Sequence, residues 1–267
     1  MSFKFSQFAK QWVFVCISLR RNVSTAKATF KSGFVSGSLL SLSLWKAKPL
    51  ITQDDLKNFM SEPLTPIDQL NEKSDSMKSR FELFILKMQK EICQTLEDIE
   101  IKELGTQNEN KNPNEGKFKI DRWTRGEGGG GITCTIQDGI VFEKAGVNIS
   151  VVHGKLPLQA AEQMRSRGKK IPENTKLEFF AAGISSIIHP RNPNVPTIHF
   201  NYRYFEVYDS ENTNDVQWWF GGGTDMTPYI LDQDDAKHFH KTLKAACDKH
   251  DKSYYSKLKK WCDNYFF

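Results

Sequence analysis

The sequence predicts an α+β fold, a largely antiparallel sheet with helices packed on it. One long helical stripe comes first. A run of β-patterned segments follows, joined by short turns with no helix between most of them. Two helical patterns close the chain. Strands that follow one another through short turns pair antiparallel, whereas a doubly wound parallel sheet needs a helical crossover between each pair.

Residues 51–76 read as a linker and helix approach. "MKSRFELFILKMQKEICQTLEDIE" (77–100) places Phe81, Phe84, Ile85, Met88, Ile92, Leu96 and Ile99 on one helical stripe, with Ser74, Asp75 and Ser76 as N-cap candidates. The Asn-rich stretch 105–116 is a loop. "FKIDRWTRG" (118–126) alternates as a strand does. Residues 131–154 hold β-branched runs around Asp138-Gly139, a hairpin signal. Residues 156–168 form a short helix stopped by Gly168. Residues 177–190, 197–208 and 216–226 are three more strands. The helix over 233–250 turns Ala236, Phe239, Leu243, Ala246 and Cys247 inward. Another begins after Asp251 or Ser253 and puts Leu258, Trp261, Cys262, Tyr265 and Phe266 at helical spacing.

Apolar residues at 39% and aromatics at 12% suffice for a packed core and exclude a disordered chain. The formal charge of +5 is unevenly spread. Residues 1–50 carry eight Lys or Arg and no acid, which leaves 29 basic and 32 acidic residues beyond them. The body of the chain is therefore not a basic nucleic-acid binder. The Ser-rich, acid-free, aromatic-interleaved N-terminus has transit-peptide features, so residues 1–50 read as a mitochondrial targeting presequence. Its segment 33–45, too short to span a bilayer, suits a sorting role, with at most peripheral membrane association. The cysteines Cys16, Cys93, Cys134, Cys247 and Cys262 form no C-x-x-C and read as free thiols.

"GEGGGG" (126–131) formally fits a dinucleotide-binding loop, but a strand follows it where that loop requires a helix, so no cofactor is assigned there. No phosphate-binding loop and no His-x-Asp or His-x-Glu pair occurs. His238 and His240 point to nearly opposite sides of a helix, which argues against a shared metal. No metal site is expected.

"TIHFNYRYFEVY" (197–208) carries the strongest functional signal. One face of this strand holds His199, Asn201, Arg203 and Phe205, and the other holds Phe200, Tyr202, Tyr204 and Glu206. The aromatic face suits the core. The polar face offers a proton-exchanging imidazole and a guanidinium fitted to a carboxylate, with successive side chains spaced about 7 Å apart. Downstream, Asp225 follows Gly221, Gly222 and Gly223, which would let a ligand approach the backbone. Together these read as a site for a flat, carboxylate-bearing molecule.

"VFEKAGVNISVVHG", "ISSIIHPRNPNVPTIHFNYRYFE", "QWWFGGGTDMTP", "HFHKTLKAACDKH" and "KKWCDNYFF" closely resemble the oxygen-dependent coproporphyrinogen-III oxidase family over about residues 77–267. The resemblance implies a large antiparallel sheet flanked by helices on both faces. It implies oxidative decarboxylation of two propionates of coproporphyrinogen III to vinyl groups, giving protoporphyrinogen IX in haem biosynthesis. Molecular oxygen is then the co-substrate, with no metal or organic cofactor. It makes His199 the proton donor, Ser185, Asn201 and Arg203 contacts to the tetrapyrrole or its carboxylates, and Asp225 the acid that meets the pyrrole N–H groups. It places 141–150 at a homodimer interface and the protein in the mitochondrial intermembrane space. It also leaves the C-terminal third of the family's catalytic domain beyond Phe267. The alternative is therefore an inactive truncated isoform or fragment, one that only binds porphyrinogen or associates with full-length subunits.

Overall fold

A computed structural model describes residues 51–52, 54–107, 116–173, 176–211 and 216–266. The presequence reading and most of the Asn-rich loop lie outside the described residues. The chain divides into two compact units, one over 49–232 and one containing 233–267.

In the first unit, a 3-10 turn at Asp54–Asn58 and helix α1 (Ile67–Glu72) precede helix α2 (Met77–Gln107). Strands β1 (Lys119–Thr124), β2 (Gly129–Gln137) and β3 (Phe142–Lys155) follow. Helix α3 (Leu158–Ser166) leads to β4 (Leu177–Pro190), β5 (Thr197–Asp209) and β6 (Gln217–Thr227). All six strands form one antiparallel sheet in sequence order, as the absence of crossover helices predicted. The segment 51–76 buries Ile51 and Leu70.

Helix α2 covers one face of the sheet. Ser76 caps it: its hydroxyl accepts the Ser79 N–H at 3.2 Å. Phe81, Ile85, Met88, Ile92 and Leu96 are buried as the stripe predicted, but Phe84 and Ile99 are only half-buried. The stripe is wider than the apolar pattern showed, because Leu86 and Cys93 are buried beside four polar residues: Ser79, Glu82, Gln89 and Glu100. The last three satisfy backbone groups of other segments. Gln89 Nε2 donates to Ile132 O and Val147 O at 3.0 and 2.9 Å, on two neighbouring strands. Glu82 accepts the N–H groups of Leu64 and Thr65 at 2.9 and 2.8 Å. Glu100 accepts those of Ile140, Val141 and Phe142 at 2.9, 3.1 and 2.6 Å. That last carboxylate explains a departure from the two-residue hairpin signalled by Asp138-Gly139. The loop runs over 138–141, with Asp138 at φ 56°, because Glu100 takes the N–H groups of its far end.

The opposite face divides along the strands. Toward one end α3 packs Ala161 against Leu177, Val207, Phe205 and Trp219. Phe205 stacks on Phe179 and on Trp219 with centroids 5.7 and 5.0 Å apart. Helices therefore lie on both faces of the sheet. The rest of this face is polar and carries the site.

In the second unit, helix α4 (Gln233–Cys247) meets helix α5 (Tyr254–Phe266) through a 3.0 Å contact between Tyr255 OH and His240 Nδ1. Of the five residues expected inward on α4, only Ala246 and Cys247 are fully buried; Ala236, Phe239 and Leu243 are not. The two described helices are too small a pair to enclose a whole stripe. Leu258, Trp261 and Tyr265 of α5 are exposed, and Cys262 is half-buried.

Burial pushes the Glu82 carboxyl above its ordinary value of 4.5, against the hydrogen bonds that favour its charged form. An acid raised by folding binds its proton more tightly in the native state, so its stabilising effect declines as pH rises from that ordinary value through the raised one. Glu82→Gln should therefore gain stability relative to the parent at pH 7, and the gain should vanish as pH falls to about 4.5. Thermal melts of both proteins across that range check it; a pH-independent difference would refute it.

Candidate active site

The site is built by strand alternation and register. On β5, His199, Asn201 and Arg203 face away from α2, while Phe200 and Tyr204 are buried beneath it. The division of faces expected from the sequence is the one observed. Antiparallel pairing then aligns three rows across the sheet. Ile187, His199 and Asp225 share one row. Asn148, Ser185, Asn201 and Gly223 share the next. Ser150, Gly183, Arg203 and Gly221 share the third. Rows are about 7 Å apart and strands about 4.8 Å apart. All five residues singled out in the sequence, Ser185, His199, Asn201, Arg203 and Asp225, thus lie on one face.

Two of them touch. His199 Nδ1 and Asp225 Oδ2 are 2.7 Å apart, with side chains 40% and 27% exposed. A carboxylate at Nδ1 makes that nitrogen the donor, fixes the ring and leaves Nε2 for a substrate. The sequence suggested each residue separately; their pairing depends on the β5–β6 register. Asp225 retains lone pairs for a second donor, so holding His199 and meeting a ligand N–H are compatible tasks.

Arg203 lies about 14 Å along β5 from His199. Its stem passes over Gly183, where an added Cβ would stand 3.5 Å from Arg203 Cγ and Nε. Among the described residues no carboxylate forms an ion pair with Arg203. Its charge is available to an anion, and a guanidinium binds a carboxylate through paired N–H donors.

The glycines of β6 have two jobs. Gly221 and Gly223 face the site, and a Cβ added at either would meet nothing within 4 Å, so the floor there is bare backbone. Gly222 points to the other face at φ 154°, where a Cβ would come within 2.1 Å of Asn201 O. Beyond the His199 row, a cavity of ≈ 410 Å³ is lined by Gln137, Asp138, Glu143, Lys144, His189, Pro190 and Tyr229. Its charges are mixed, and His189 is engaged with Thr197 Oγ1 at 3.3 Å. The "GEGGGG" glycines run into β2 between two antiparallel partners, so no helix N-terminus faces them. Among the described residues no group of three or more His, Cys, Asp or Glu side chains gathers as metal ligands. No described helix is long and apolar enough to cross a membrane.

The fold and the site define an α+β protein with a His–Asp pair and, among the described residues, an arginine without an ion-pair partner on an open polar sheet face, a class suited to proton transfer on an anionic ligand. The coproporphyrinogen III oxidase family model matches residues 80–267, and the chain belongs to that family. It is 56% identical over 214 residues to an oxygen-dependent coproporphyrinogen-III oxidase of Drosophila melanogaster, covering 80% of this chain and 51% of that protein. It is 52% identical over 225 residues to a human mitochondrial oxygen-dependent coproporphyrinogen-III oxidase, covering 82% and 46%. A chloroplastic coproporphyrinogen-III oxidase of Arabidopsis thaliana is 47% identical over 212 residues, covering 78% and 50%. The chain spans about half the length of the curated relatives it matches.

The two kinds of β6 glycine should separate in mutants. Gly222→Ala should destabilise the β5–β6 pairing by roughly 2 kcal/mol or more, since both φ and the clash oppose it. Gly221→Ala should change stability by about 0.5 kcal/mol or less. Urea unfolding of the two variants decides; equal midpoints would contradict the assignment.

Proposed function

We propose that the chain carries out the oxygen-dependent oxidative decarboxylation of coproporphyrinogen III, converting two propionates to vinyl groups and giving protoporphyrinogen IX. The observation that carries this reading is the shared sheet face of His199, Asp225 and Arg203, in a chain that belongs to the coproporphyrinogen III oxidase family. Each propionate must lose carbon dioxide, one proton and two electrons, and molecular oxygen takes the electrons. No metal or organic cofactor has a part in this reading.

The residues divide the work. Arg203 orients a peripheral carboxylate through charge-assisted hydrogen bonds. Ser185 and Asn201, in the row between Arg203 and His199, contact the tetrapyrrole. Asp225 meets inward pyrrole N–H donors while steadying the His199 ring at 2.7 Å. His199 Nε2 supplies the proton-exchanging atom, positioned before substrate arrives. The bare β6 floor at Gly221 and Gly223 allows the ring system close to the backbone.

The reading extends to assembly and address. We assign 141–150, which forms most of β3, to a homodimer interface. The mammalian relatives are named mitochondrial and the plant relatives chloroplastic. With its acid-free N-terminus, this chain is assigned to mitochondria and, more finely, to the intermembrane space. Residues 1–50 fused to a soluble fluorescent reporter should carry it into mitochondria; a diffuse cytosolic signal would refute the address.

The activity is tested by following protoporphyrin fluorescence from coproporphyrinogen III with and without oxygen. Turnover should stop without oxygen. Arg203→Ala should lower kcat/KM roughly ten- to hundredfold, the loss expected for one charge-assisted contact, while Phe205→Leu should leave it within a few-fold. Unchanged kinetics in the arginine variant would sink the assignment. Porphyrin binding without turnover would instead favour the reading of a chain that binds and does not react.

A further inference from the structure

Asn148 lies at the middle of β3, in the same row as Ser185, Asn201 and Gly223. Its same-face neighbours along the strand are Gly146 and Ser150, both small, so the carboxamide rises from an otherwise low part of the face. It leans over Gly146, where an added Cβ would stand 3.6 Å from Nδ2. Gly146 belongs to the row of Ile187, His199 and Asp225, so the amide is inclined along β3 toward that row, with Ile187 of β4 and about 10 Å between it and His199.

The fold gains little from this residue. Its Oδ1 is buried and makes no hydrogen bond. A polar atom shut away from water without a partner is destabilising, and asparagine is a poor strand residue where valine or threonine would serve. The other orphaned oxygens on or against the sheet have local explanations. Gln89 Oε1 belongs to an amide whose nitrogen ties two strands, and Ser186 Oγ belongs to a small rotor under α2. Asn148 has no such tie: among the described residues its Nδ2 makes no hydrogen bond either and, unlike Oδ1, is not buried, so two amide donors stand uncommitted on a polar face, a feature that contact with a ligand acceptor explains.

We propose that Asn148 is a further binding residue of this site, donating from Nδ2 to a carboxylate oxygen of the bound porphyrinogen on the His199 side of the Asn201 row. The inference rests on the substrate reading above. Arg203 and Asn148 then grip carboxylates from opposite sides of the Asn201 row. A neutral amide suits this side of the row, because it holds a carboxylate by hydrogen bonding without the full charge that would stabilise it against loss as carbon dioxide.

The test titrates the 267-residue chain with coproporphyrin III, the stable oxidised analogue with the same four carboxylates, and reads fluorescence and thermal melts together. Asn148→Thr should weaken binding roughly tenfold, as expected for one lost hydrogen bond to a charged group, with Tm unchanged or raised. Asn148→Asp keeps the shape and sets a like charge against the ligand; it should weaken binding further and recover part of it in high salt. Unaltered affinity in both variants, with Arg203→Ala still defective, overturns this inference alone. A lowered Tm with unaltered affinity also overturns it, by making Asn148 a structural residue. If the parent chain fails to bind coproporphyrin III, the substrate reading and this inference fall together.

Discussion

The register between neighbouring strands is the constraint on which the site depends. A one-residue slip of β6 against β5 would move Asp225 to the face under α2 and take its carboxylate away from His199. Several contacts oppose such a slip. The Tyr202 and Thr224 hydroxyls bond across the pair on the helix-covered face. Phe81 of α2 packs against Tyr204 at 5.8 Å and Phe220 at 5.6 Å, so the helix clamps both strands at one level. Glu206 ties the end of β5 to Lys78 of α2 at 2.8 Å. The chemistry on one face is thus held in place by packing on the other.

Helix α2 does more than bury apolar area. Three of its buried polar side chains, Glu82, Gln89 and Glu100, reach the 64–65 turn, the β2–β3 pair and the 138–142 turn, at three levels along its length. Apolar contact alone allows a helix to slide on a sheet at modest cost, whereas a buried carboxylate that leaves its N–H donors strands both partners without water. These hooks give the helix a single seat, and through Gln89 they join β2 to the strand that carries Asn148.

Much of this was legible in the sequence, for physical reasons. Period-two alternation in 197–208 separated Phe200 and Tyr204 from His199 and Arg203 without knowledge of any partner strand. The absence of a helix between successive strands gave the antiparallel order. What stayed hidden was nonlocal. Glu82, Gln89 and Glu100 carry no local sign of burial, because their partners are backbone groups up to 58 residues away. The His199–Asp225 contact follows from register, which alternation does not specify. Asn148 lies inside "VFEKAGVNIS", where a single asparagine between strand residues carries no local mark of a site.

Asp225 stands on a strand that the sheet holds from one side among the described residues. β6 pairs only with β5 among the described residues, and it carries three successive glycines just before the aspartate. β5, by contrast, is flanked on both sides and anchored through its aromatic face. Amide hydrogen exchange distinguishes backbone that opens by local fraying from backbone that opens only with the whole domain. By that measure the two halves of the pair should fall in different classes, the imidazole on the more slowly exchanging peptide and the carboxylate on the faster.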